Sequence, residues 1–294
     1  MTMTERGEVR LNEPMSRHTS WRVGGPAESF FVPSSIDGLQ AFLGELPKNV
    51  PVHWFGVGSN LLVRDGGIAG VVISATKLLR AVEQLDDLRV LAGSGLPCTQ
   101  LARQCLRWNL GPSEFFAGIP GTVGGALAMN AGAHGGETWQ RVESVTTIGR
   151  DGEIRERQPS DYTVGYRSVS GPDSEWFLSA VFRFEAGAGA SKDTLDAMLE
   201  RRKATQPLGL PSCGSVFQNP PGDHAARLIE AAGLKGHRIG GAEVSPKHAN
   251  FIINADDARA QDIEALIDHV QSTVRDVHGV TLHHEVRIVG ERAE

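Results

Sequence analysis

The amino-acid sequence predicts an α+β protein, because short strand-like segments alternate with amphipathic helical segments along its 294 residues. Two glycine-rich segments, residues 56–62 and 118–137, interrupt this alternation. The first segment lacks the Rossmann fingerprint, since Leu61 stands where G-x-G-x-x-G requires its third glycine. No G-x-x-x-x-G-K-[ST] motif occurs in the sequence, which excludes a P-loop NTPase. The two segments therefore indicate a nucleotide-binding fold of another kind.

Several elements can be placed from the spacing of apolar residues. A long helix is predicted over residues 263–277, and a glycine follows as its stop. Residues 280–289 then alternate between apolar and polar side chains, which predicts a final strand. Shorter helices are predicted after the run Pro33-Ser34-Ser35, which would cap the first of them, and over 223–233, with Asp223 as the cap.

The composition is that of an ordinary globular protein, with 40% hydrophobic and 22% charged residues. A net charge of −6 argues against a nucleic-acid partner, which would require a basic face. No apolar run reaches the roughly 18 residues of a membrane span and the first residues are polar, so we expect a cytoplasmic protein. The three cysteines, Cys98, Cys105 and Cys213, lack C-x-x-C spacing, and we expect reduced thiols and no metal site.

The segment from Gly118 to Glu137 contains seven glycines and four alanines among its twenty residues, and it has no lysine or arginine. Glycine lets the backbone approach a ligand closely, and successive N–H groups form a concave nest for an anion such as phosphate. A flexible linker would be polar, whereas this segment also carries Ile119, Val123 and Leu127. We interpret it as a buried loop that cradles a cofactor; a plain glycine-rich connection is the alternative.

These segments are similar to two motifs of the UDP-N-acetylenolpyruvoylglucosamine reductases. The run Gly56–Leu62, G-V-G-S-N-L-L, resembles their G-x-G-S-N-L-L, and the run Gly118–Gly132 resembles their G-I-P-G-x-x-G-G-A…N-A-G. Further matching motifs extend the resemblance from His18 to Gly290. The resemblance implies an FAD-binding fold of the type shared with vanillyl-alcohol oxidase and p-cresol methylhydroxylase.

The same resemblance implies how the chain is divided and what it binds. Two α+β subdomains for FAD would occupy residues 1–75 and 76–190, and a smaller α+β substrate-binding domain would occupy 206–294. The FAD would be non-covalent, because the first glycine-rich segment has no histidine for attachment, and NADPH would be the co-substrate. The residues implied to contact FAD are Gly56, Val57, Gly58, Ser59, Asn60 and Leu61 in the first segment, and Ile119, Pro120, Gly121, Thr122, Gly124, Gly125, Ala126, Asn130, Ala131 and Gly132 in the second.

Tyr166 and Arg167 match the first two residues of the family's Y-R-x-S motif, although Val169 stands in place of its serine. The resemblance implies that Arg167 binds the substrate carboxylate, for which an always-charged, fork-shaped guanidinium is well suited. Taken alone, this Tyr–Arg pair would be interpreted as part of an exposed surface. The role of Arg167 is therefore assigned from the family motif.

Ser215 and Glu285 complete the implied catalytic set. Ser215 lies in a run that resembles the family's G-S-x-F-K-N-P, with Gln218 in place of the lysine, and the matching serine is the proton donor. Glu285 lies in a run that resembles E-V-R-I-x-G, whose glutamate enters the active site. Without the resemblance, the first would be interpreted as a turn and the second as an acid on an edge strand. The nearby Cys213 does not match a catalytic position.

The substrate-binding residues implied by the resemblance are Tyr166, Asn219, Lys247 and His248. Lys247 and His248 lie in a run similar to the family's V-S-x-K-H-A-N-F, where nearby glycines and basic residues suit a diphosphate. Basic residues scattered on a solvated face are the alternative interpretation.

The implied activity is the NADPH-dependent reduction, through FAD, of UDP-N-acetyl-enolpyruvoylglucosamine to UDP-N-acetylmuramate in peptidoglycan precursor synthesis. Hydride addition to the β-carbon would leave negative charge on the α-carbon and carboxylate, where Arg167 and Glu285 would stabilise it. Ser215 would then protonate the α-carbon. Two other functions are compatible with the residues: an FAD-dependent sugar or alcohol oxidase of the same fold, and a non-catalytic protein that binds a UDP-sugar.

Overall fold

The computed structural model describes residues 2–4, 6–188 and 191–293. The chain forms two compact units and passes from one to the other several times. The first unit comprises residues 1–10, 30–56 and 71–201, and the second comprises 11–29, 57–70 and 202–294. Residues 1, 5, 189, 190 and 294 fall within the predicted domains but lie outside the described residues. The predicted division at 1–75, 76–190 and 206–294 stays a prediction.

Helices and strands alternate along the described chain, and the α+β prediction is confirmed. The α-helices are α1 (Ile36–Glu45), α2 (Cys98–Arg107), α3 (Val123–Met129), α4 (Lys192–Thr205), α5 (Ala225–Ala231) and α6 (Ala260–His278). The strands are β1 (Thr2–Thr4), β2 (Gly7–Pro14), β3 (Pro26–Pro33), β4 (Val52–Trp54), β5 (Leu61–Val63), β6 (Ile68–Ile73), β7 (Val82–Gln84), β8 (Arg89–Gly93), β9 (Leu110–Gly111), β10 (Gly132–Ala133), β11 (Gly136–Glu137), β12 (Val142–Gly149), β13 (Ile154–Arg157), β14 (Thr163–Gly165), β15 (Ser168–Ser170), β16 (Glu175–Arg183), β17 (Glu185–Ala186), β18 (Arg238–Ile239), β19 (Ala242–Val244), β20 (Ile252–Asn254) and β21 (Arg287–Val289). Short 3₁₀ turns occur at Met15–Arg17, Glu114–Gly118, Thr138–Arg141 and Pro159–Asp161.

The first unit is built on two β-sheets. One has the strand order β1-β2-β3-β6-β4, and the other has the antiparallel order β13-β12-β16-β8-β7. Each sheet contributes to a hydrophobic core. The core of α1 and the first sheet includes Phe31, Leu39, Leu43 and Ile73, and the core of α2, α3 and the second sheet includes Leu101, Phe116, Leu127 and Phe182. The second core therefore lies directly under the second glycine-rich segment.

The second unit packs a long helix against a small antiparallel sheet of the order β18-β19-β20. Apolar residues of α6, from Ile263 to Val274, supply much of its core. Trp21 is fully buried in this core, and its indole N–H donates to the carbonyl oxygen of Ile252 at 2.7 Å. A buried indole needs such a partner, so this bond fixes the N-terminal part of the unit onto strand β20.

Two helix predictions are confirmed. The Ser35 hydroxyl accepts the N–H of Gly38 at 3.0 Å and so caps α1 as expected. Helix α6 ends at Gly279, whose φ of 69° is the left-handed conformation of a helix C-cap. Val277, predicted on the apolar face, is 57% exposed, so the buried stripe ends one turn earlier at Val274.

The predicted C-terminal strand is wrong over most of its length. Strand β21 occupies only Arg287–Val289, where it runs parallel to β5. Before it, His284 makes a single bridge to Phe217, although the apolar residues are buried alternately as predicted. Alternation reports which side chains are buried, whereas a strand also needs a neighbour over its whole length.

The predicted cap of α5 is also wrong. The helix begins at Ala225, and the Asp223 carboxylate accepts the N–H of His224 at 2.7 Å instead of capping the first turn. The same carboxylate pairs with Arg227 on the helix surface. The N–H of Ala225 donates to the side-chain oxygen of Asn219 at 3.1 Å.

The cysteines are buried and none forms a disulfide in the described chain. Burial raises the pKa of the Cys98 and Cys105 thiols to about 12, so both pack as neutral side chains. No cluster of three metal-ligating side chains occurs among the described residues. Within the same residues, every helix is too short or too polar to cross a bilayer.

Arg150 links the second sheet to the C-terminal end of α1. Its guanidinium donates hydrogen bonds to the carbonyl oxygens of Leu43, Leu46 and Pro47 at 2.9, 3.2 and 2.7 Å. A cation is well placed there, because the last carbonyl groups of a helix lack helical partners and carry partial negative charge.

We therefore expect Arg150→Met to lower the free energy of unfolding by about 1.5–3 kcal/mol, the range for hydrogen bonds to a charged group. Arg183→Met is the control, because the Arg183 side chain is 58% exposed and pairs with Glu143 at the surface. This control should cost about 0.5 kcal/mol or less. Urea unfolding of both variants measures the difference, and equal losses would contradict the proposed link.

Candidate active site

The second glycine-rich segment contains a short helix where the sequence predicts a loop. Helix α3 follows the 3₁₀ turn at Glu114–Gly118, and its buried residues are Val123, Ala126 and Leu127. These residues are spaced at i, i+3 and i+4, so they form one apolar face against the core. Burial of this face outweighs the low helix propensity of the glycines beside it.

Backbone hydrogen bonds fix α3 to the end of strand β8. The N–H of Val123 donates to the carbonyl oxygen of Leu96 at 2.9 Å, and the N–H of Gly124 donates to that of Ser94 at 2.8 Å. In the other direction, the N–H of Cys98 donates to the carbonyl oxygen of Gly121 at 3.1 Å. The start of α3 is therefore held by main-chain groups on both sides.

Close packing explains most of the glycines in this segment. A Cβ atom would stand too close to a neighbouring atom at four of them: 2.5 Å from Ala133 Cβ at Gly118, 2.8 Å from Ser94 Cβ at Gly124, 2.4 Å from the Gly136 oxygen at Gly132, and 2.6 Å from Phe115 Cγ at Gly136. Real Cβ contacts are longer than these distances. These glycines are required by the fold itself.

Close packing does not explain why residue 125 is a glycine. It lies within α3 and is exposed, and outside the helix backbone the nearest described atom to an added Cβ would be Thr122 Oγ1 at 4.0 Å. Glycine inside a helix costs roughly 1 kcal/mol relative to alanine, so something other than packing must favour it. A Cβ at Gly56 would approach the same Thr122 oxygen, at 3.3 Å. The Thr122 hydroxyl thus lies near both glycines, and the half-buried backbone at Gly56 and the exposed backbone at Gly125 fit a closely bound cofactor.

The first glycine-rich segment serves two purposes. Gly58 has φ 62°, and a Cβ there would lie 2.2 Å from the His18 carbonyl oxygen, so packing requires this glycine. Asn60 connects the segment to the C-terminal chain: its side-chain amide donates to the Glu285 carbonyl oxygen at 2.9 Å, and its own carbonyl accepts the N–H of Arg287 at 3.1 Å. The segment is thereby joined to the backbone of a predicted catalytic residue.

The other residues predicted to contact FAD differ in accessibility. Those with exposed positions are Val57 and Pro120, those partly exposed are Ser59, Leu61, Gly121 and Gly132, and those buried are Ile119, Ala126 and Ala131. The buried ones belong to the core under α3. Any contact that they make with a ligand would have to come from the backbone.

Arg167 lies in the two-residue turn between β14 and β15. Its φ of 54° places a non-glycine residue in the left-handed region, which costs about 1–2 kcal/mol. The guanidinium donates to the Gly132 carbonyl oxygen at 2.9 Å, and its carbon lies 5.4 Å from the ring centroid of Tyr166. The structure therefore brings Arg167 to the second glycine-rich segment, with Tyr166 exposed beside it. A strained arginine in a turn is a hint of function, since glycine or asparagine would fit there better.

Ser215 and Glu285 lie on neighbouring backbone segments of the second unit. The Glu285 N–H donates to the Val216 carbonyl oxygen at 2.8 Å. Sequence reasoning missed Asn250, which holds this turn: its carbonyl accepts the Val216 N–H, and its side-chain amide exchanges two hydrogen bonds with the backbone of Phe217 at 2.9 and 2.8 Å. Asn250 is 4% exposed. A single amide in an apolar run, between Ala249 and Phe251, was the signal that could have identified it.

Cys213 is a poor nucleophile despite its position next to this turn. Its thiol is buried, and burial together with the nearby Glu285 carboxylate raises its pKa well above the usual value. A thiol of this kind carries little thiolate at neutral pH.

The predicted substrate-binding residues of the second unit all contact the protein itself. Asn219 accepts the first N–H of α5, and the Lys247 ammonium donates to the Lys203 carbonyl oxygen at 2.6 Å. His248 is half-buried, and burial lowers its pKa, with the charge of Lys235 adding to the effect. The His248 imidazole is therefore neutral at pH 7.

Comparison with known proteins gives matches to two family models. The model described as "UDP-N-acetylenolpyruvoylglucosamine reductase, C-terminal domain" matches residues 206–289, and the model described as "FAD binding domain" matches residues 27–157.

Similar proteins cover nearly the whole chain. The UDP-N-acetylenolpyruvoylglucosamine reductase of Alkalilimnicola ehrlichii is 57% identical, over 97% of this chain and 96% of its own length. That of Methylococcus capsulatus is 54% identical, over 97% and 94%. Among solved structures, the UDP-N-acetylenolpyruvylglucosamine reductase of Thermus caldophilus superposes with a TM-score of 0.79 at 31% identity, over 96% of this chain and 98% of its own. The chain belongs to the UDP-N-acetylenolpyruvoylglucosamine reductase family.

Proposed function

We propose that the protein reduces UDP-N-acetyl-enolpyruvoylglucosamine to UDP-N-acetylmuramate with electrons from NADPH, through non-covalent FAD, in peptidoglycan precursor synthesis. The near full-length similarity to reductases of this name carries the proposal, because it includes both the FAD-binding and the C-terminal parts of the chain. An oxidase of the same fold is not favoured by these matches. A cytoplasmic location and no nucleic-acid partner are part of the proposal, supported by composition and net charge.

The accessible backbone beside Thr122 fits the cofactor. A side chain at position 56 or 125 would extend toward the Thr122 hydroxyl. The backbone of Gly56 and Gly125 would therefore lie against FAD. When bound, FAD would supply the redox chemistry, which is hydride transfer from NADPH to the β-carbon of the enolpyruvyl group. The protein supplies position, charge and protons.

Arg167 would bind the carboxylate of the enolpyruvyl group. Its guanidinium carries a permanent positive charge and presents parallel N–H donors that match both carboxylate oxygens. When hydride reaches the β-carbon, negative charge spreads over the α-carbon and this carboxylate, so the same contact strengthens during the reaction. The strained backbone at Arg167 supports a functional role of this kind.

Ser215 would donate the proton that completes the reduction at the α-carbon, and Glu285 would stabilise the enol-type intermediate by a hydrogen bond. A serine hydroxyl is a weak acid, so it must be held in position next to a strongly basic carbon. The hydrogen bonds from Asn250 and Glu285 to the turn at Val216 and Phe217 provide this rigidity. Protonation leaves the serine as an alkoxide, which recovers its proton from solvent.

Anaerobic visible spectroscopy of the purified protein tests the proposed function. NADPH should bleach the flavin absorbance, and one equivalent of the enolpyruvyl substrate should restore it without oxygen. An oxidase would recover its colour on exposure to oxygen and ignore this substrate, and a non-catalytic UDP-sugar-binding protein would be colourless. Either result would contradict the proposal.

Gly125→Ala separates cofactor binding from folding. Alanine favours a helix, so the apoprotein should be as stable as the wild type or up to about 1 kcal/mol more stable. Its methyl group would enter the cofactor space, so FAD retention after gel filtration should fall, and Gly125→Val should abolish it. Acid precipitation of the wild-type protein should release all of its flavin, because the FAD is non-covalent. Wild-type FAD content in both variants would show that the cofactor lies elsewhere.

Ser215→Ala separates the two half-reactions. Reduction of the flavin by NADPH requires no proton donor at the substrate, so its rate should stay near that of the wild type. Reoxidation by the enolpyruvyl substrate should slow by about 10²–10⁴-fold, the usual range for loss of a general acid. Rapid-mixing absorbance measures each step on its own.

Cys213→Ala is the matched control for this variant, because Cys213 is buried two residues from Ser215 and is not a thiolate. It should leave both half-reactions close to wild type. A defect in Cys213→Ala together with normal reoxidation in Ser215→Ala would overturn the proton-donor assignment.

A further inference from the structure

Asn130 belongs to the second glycine-rich segment, and its side chain contacts the turn that carries Arg167. It is 1% exposed and adopts φ 46° and ψ 51°, which makes it the left-handed C-cap of helix α3. Its amide nitrogen donates to the Glu137 carboxylate at 2.9 Å and to the Gly165 carbonyl oxygen at 3.1 Å. Its amide oxygen accepts the N–H of Trp139 at 3.1 Å. Both amide hydrogens and the oxygen are therefore used within the protein.

A second hydrogen bond runs in the opposite direction between the same two segments. Arg167 donates from its guanidinium to the Gly132 carbonyl oxygen, while Asn130 donates to the Gly165 carbonyl oxygen. Residues 130–132 and 165–167 are thus joined by a reciprocal pair of bonds. Because a guanidinium nitrogen supplies one of them, the position of the catalytic side chain is tied to the position of the glycine-rich backbone.

The hairpin of β14 and β15 is short and mostly exposed. Its strands contain three residues each, and all of β14 is exposed. Val169 of β15 packs on the second core, while the flanking residues of that strand are exposed. A short two-stranded hairpin is marginally stable by itself, so a hydrogen bond from the buried Asn130 amide to its end has a large effect on where the turn lies.

We propose that Asn130 is a positioning residue for Arg167: its amide fixes the Gly165–Arg167 turn against the glycine-rich segment, so that the arginine is already placed when substrate binds. This inference rests on the proposed function for its kinetic consequence. This role is additional to the predicted FAD contact, because it depends on the hydrogen bonds of the side-chain amide to Glu137, Trp139 and Gly165. Asparagine suits the position, since it tolerates the left-handed conformation and also offers a donor and an acceptor.

Asn130→Gly is the sharpest test. Glycine keeps the left-handed backbone of the C-cap and removes all three side-chain hydrogen bonds. In the FAD-loaded variant, reoxidation by the enolpyruvyl substrate should slow about 10–100-fold more than flavin reduction by NADPH does, the scale of an ångström-size misplacement of a catalytic group. Hydrogen exchange of the amides at residues 165–168 should become faster. Asn130→Asp keeps the acceptor and the preference for the left-handed backbone but loses the amide donor. It should also slow reoxidation and speed up exchange, and it replaces the glycine variant if that variant fails to fold.

Thr138→Val is the matched control. Thr138 is fully buried, and its hydroxyl donates to the carbonyl oxygen of Ala131, the residue after Asn130, at 2.6 Å. It should lose stability but keep wild-type half-reactions and wild-type exchange at 165–168. Equal effects of the Asn130 and Thr138 variants on both half-reactions, or unchanged exchange at the hairpin in the Asn130 variants, would overturn the proposal.

The two proposals fail in distinguishable ways. If the wild-type flavin is not reoxidised by the enolpyruvyl substrate, the proposed function is wrong. The exchange comparison at residues 165–168 does not depend on any substrate, so it still decides whether Asn130 fixes the turn.

Discussion

The main-chain contact between helix α3 and the end of strand β8 is the constraint on which the first unit depends. Three backbone hydrogen bonds join residues 121–124 to residues 94–98, and Gly124 lies so close to Ser94 that no side chain would fit. Since the buried face of α3 is fixed in this way, its opposite face, with Gly125, is left accessible. The accessible backbone is thus a consequence of how the inner face is packed, and the proposed cofactor site follows from it.

Asparagine side chains hold the backbone in the irregular parts of the chain. Loops cannot satisfy their backbone groups by ladder hydrogen bonds, and an asparagine side chain offers a donor and an acceptor like a peptide group. Asn250 does this for the turn after Ser215, Asn60 for the backbone at Glu285, and Asn130 for the turn at Arg167. Each of the three proposed catalytic residues therefore has a neighbouring asparagine that fixes its backbone.

The sequence predicted those features that depend on local spacing. Helix α6 and the cap at Ser35 were found because apolar periodicity and capping chemistry are properties of adjacent residues. Helix α3 was missed, since Gly124 and Gly125 lower local helix propensity and tertiary contacts override it. The roles of Asn130 and Asn250 in holding these turns were missed, because their partners Gly165 and Phe217 lie 35 and 33 residues away and sequence spacing does not report such contacts.

The most direct test of this account is a crystal structure of the FAD-loaded protein. The account predicts flavin-nucleotide atoms in van der Waals contact, about 4 Å, with the Cα atom of Gly125 and close to the Thr122 hydroxyl. It also predicts that the α3 backbone and the Asn130 hydrogen bonds are the same as described here. FAD bound away from Gly125, with solvent filling the space beside Thr122, would contradict it.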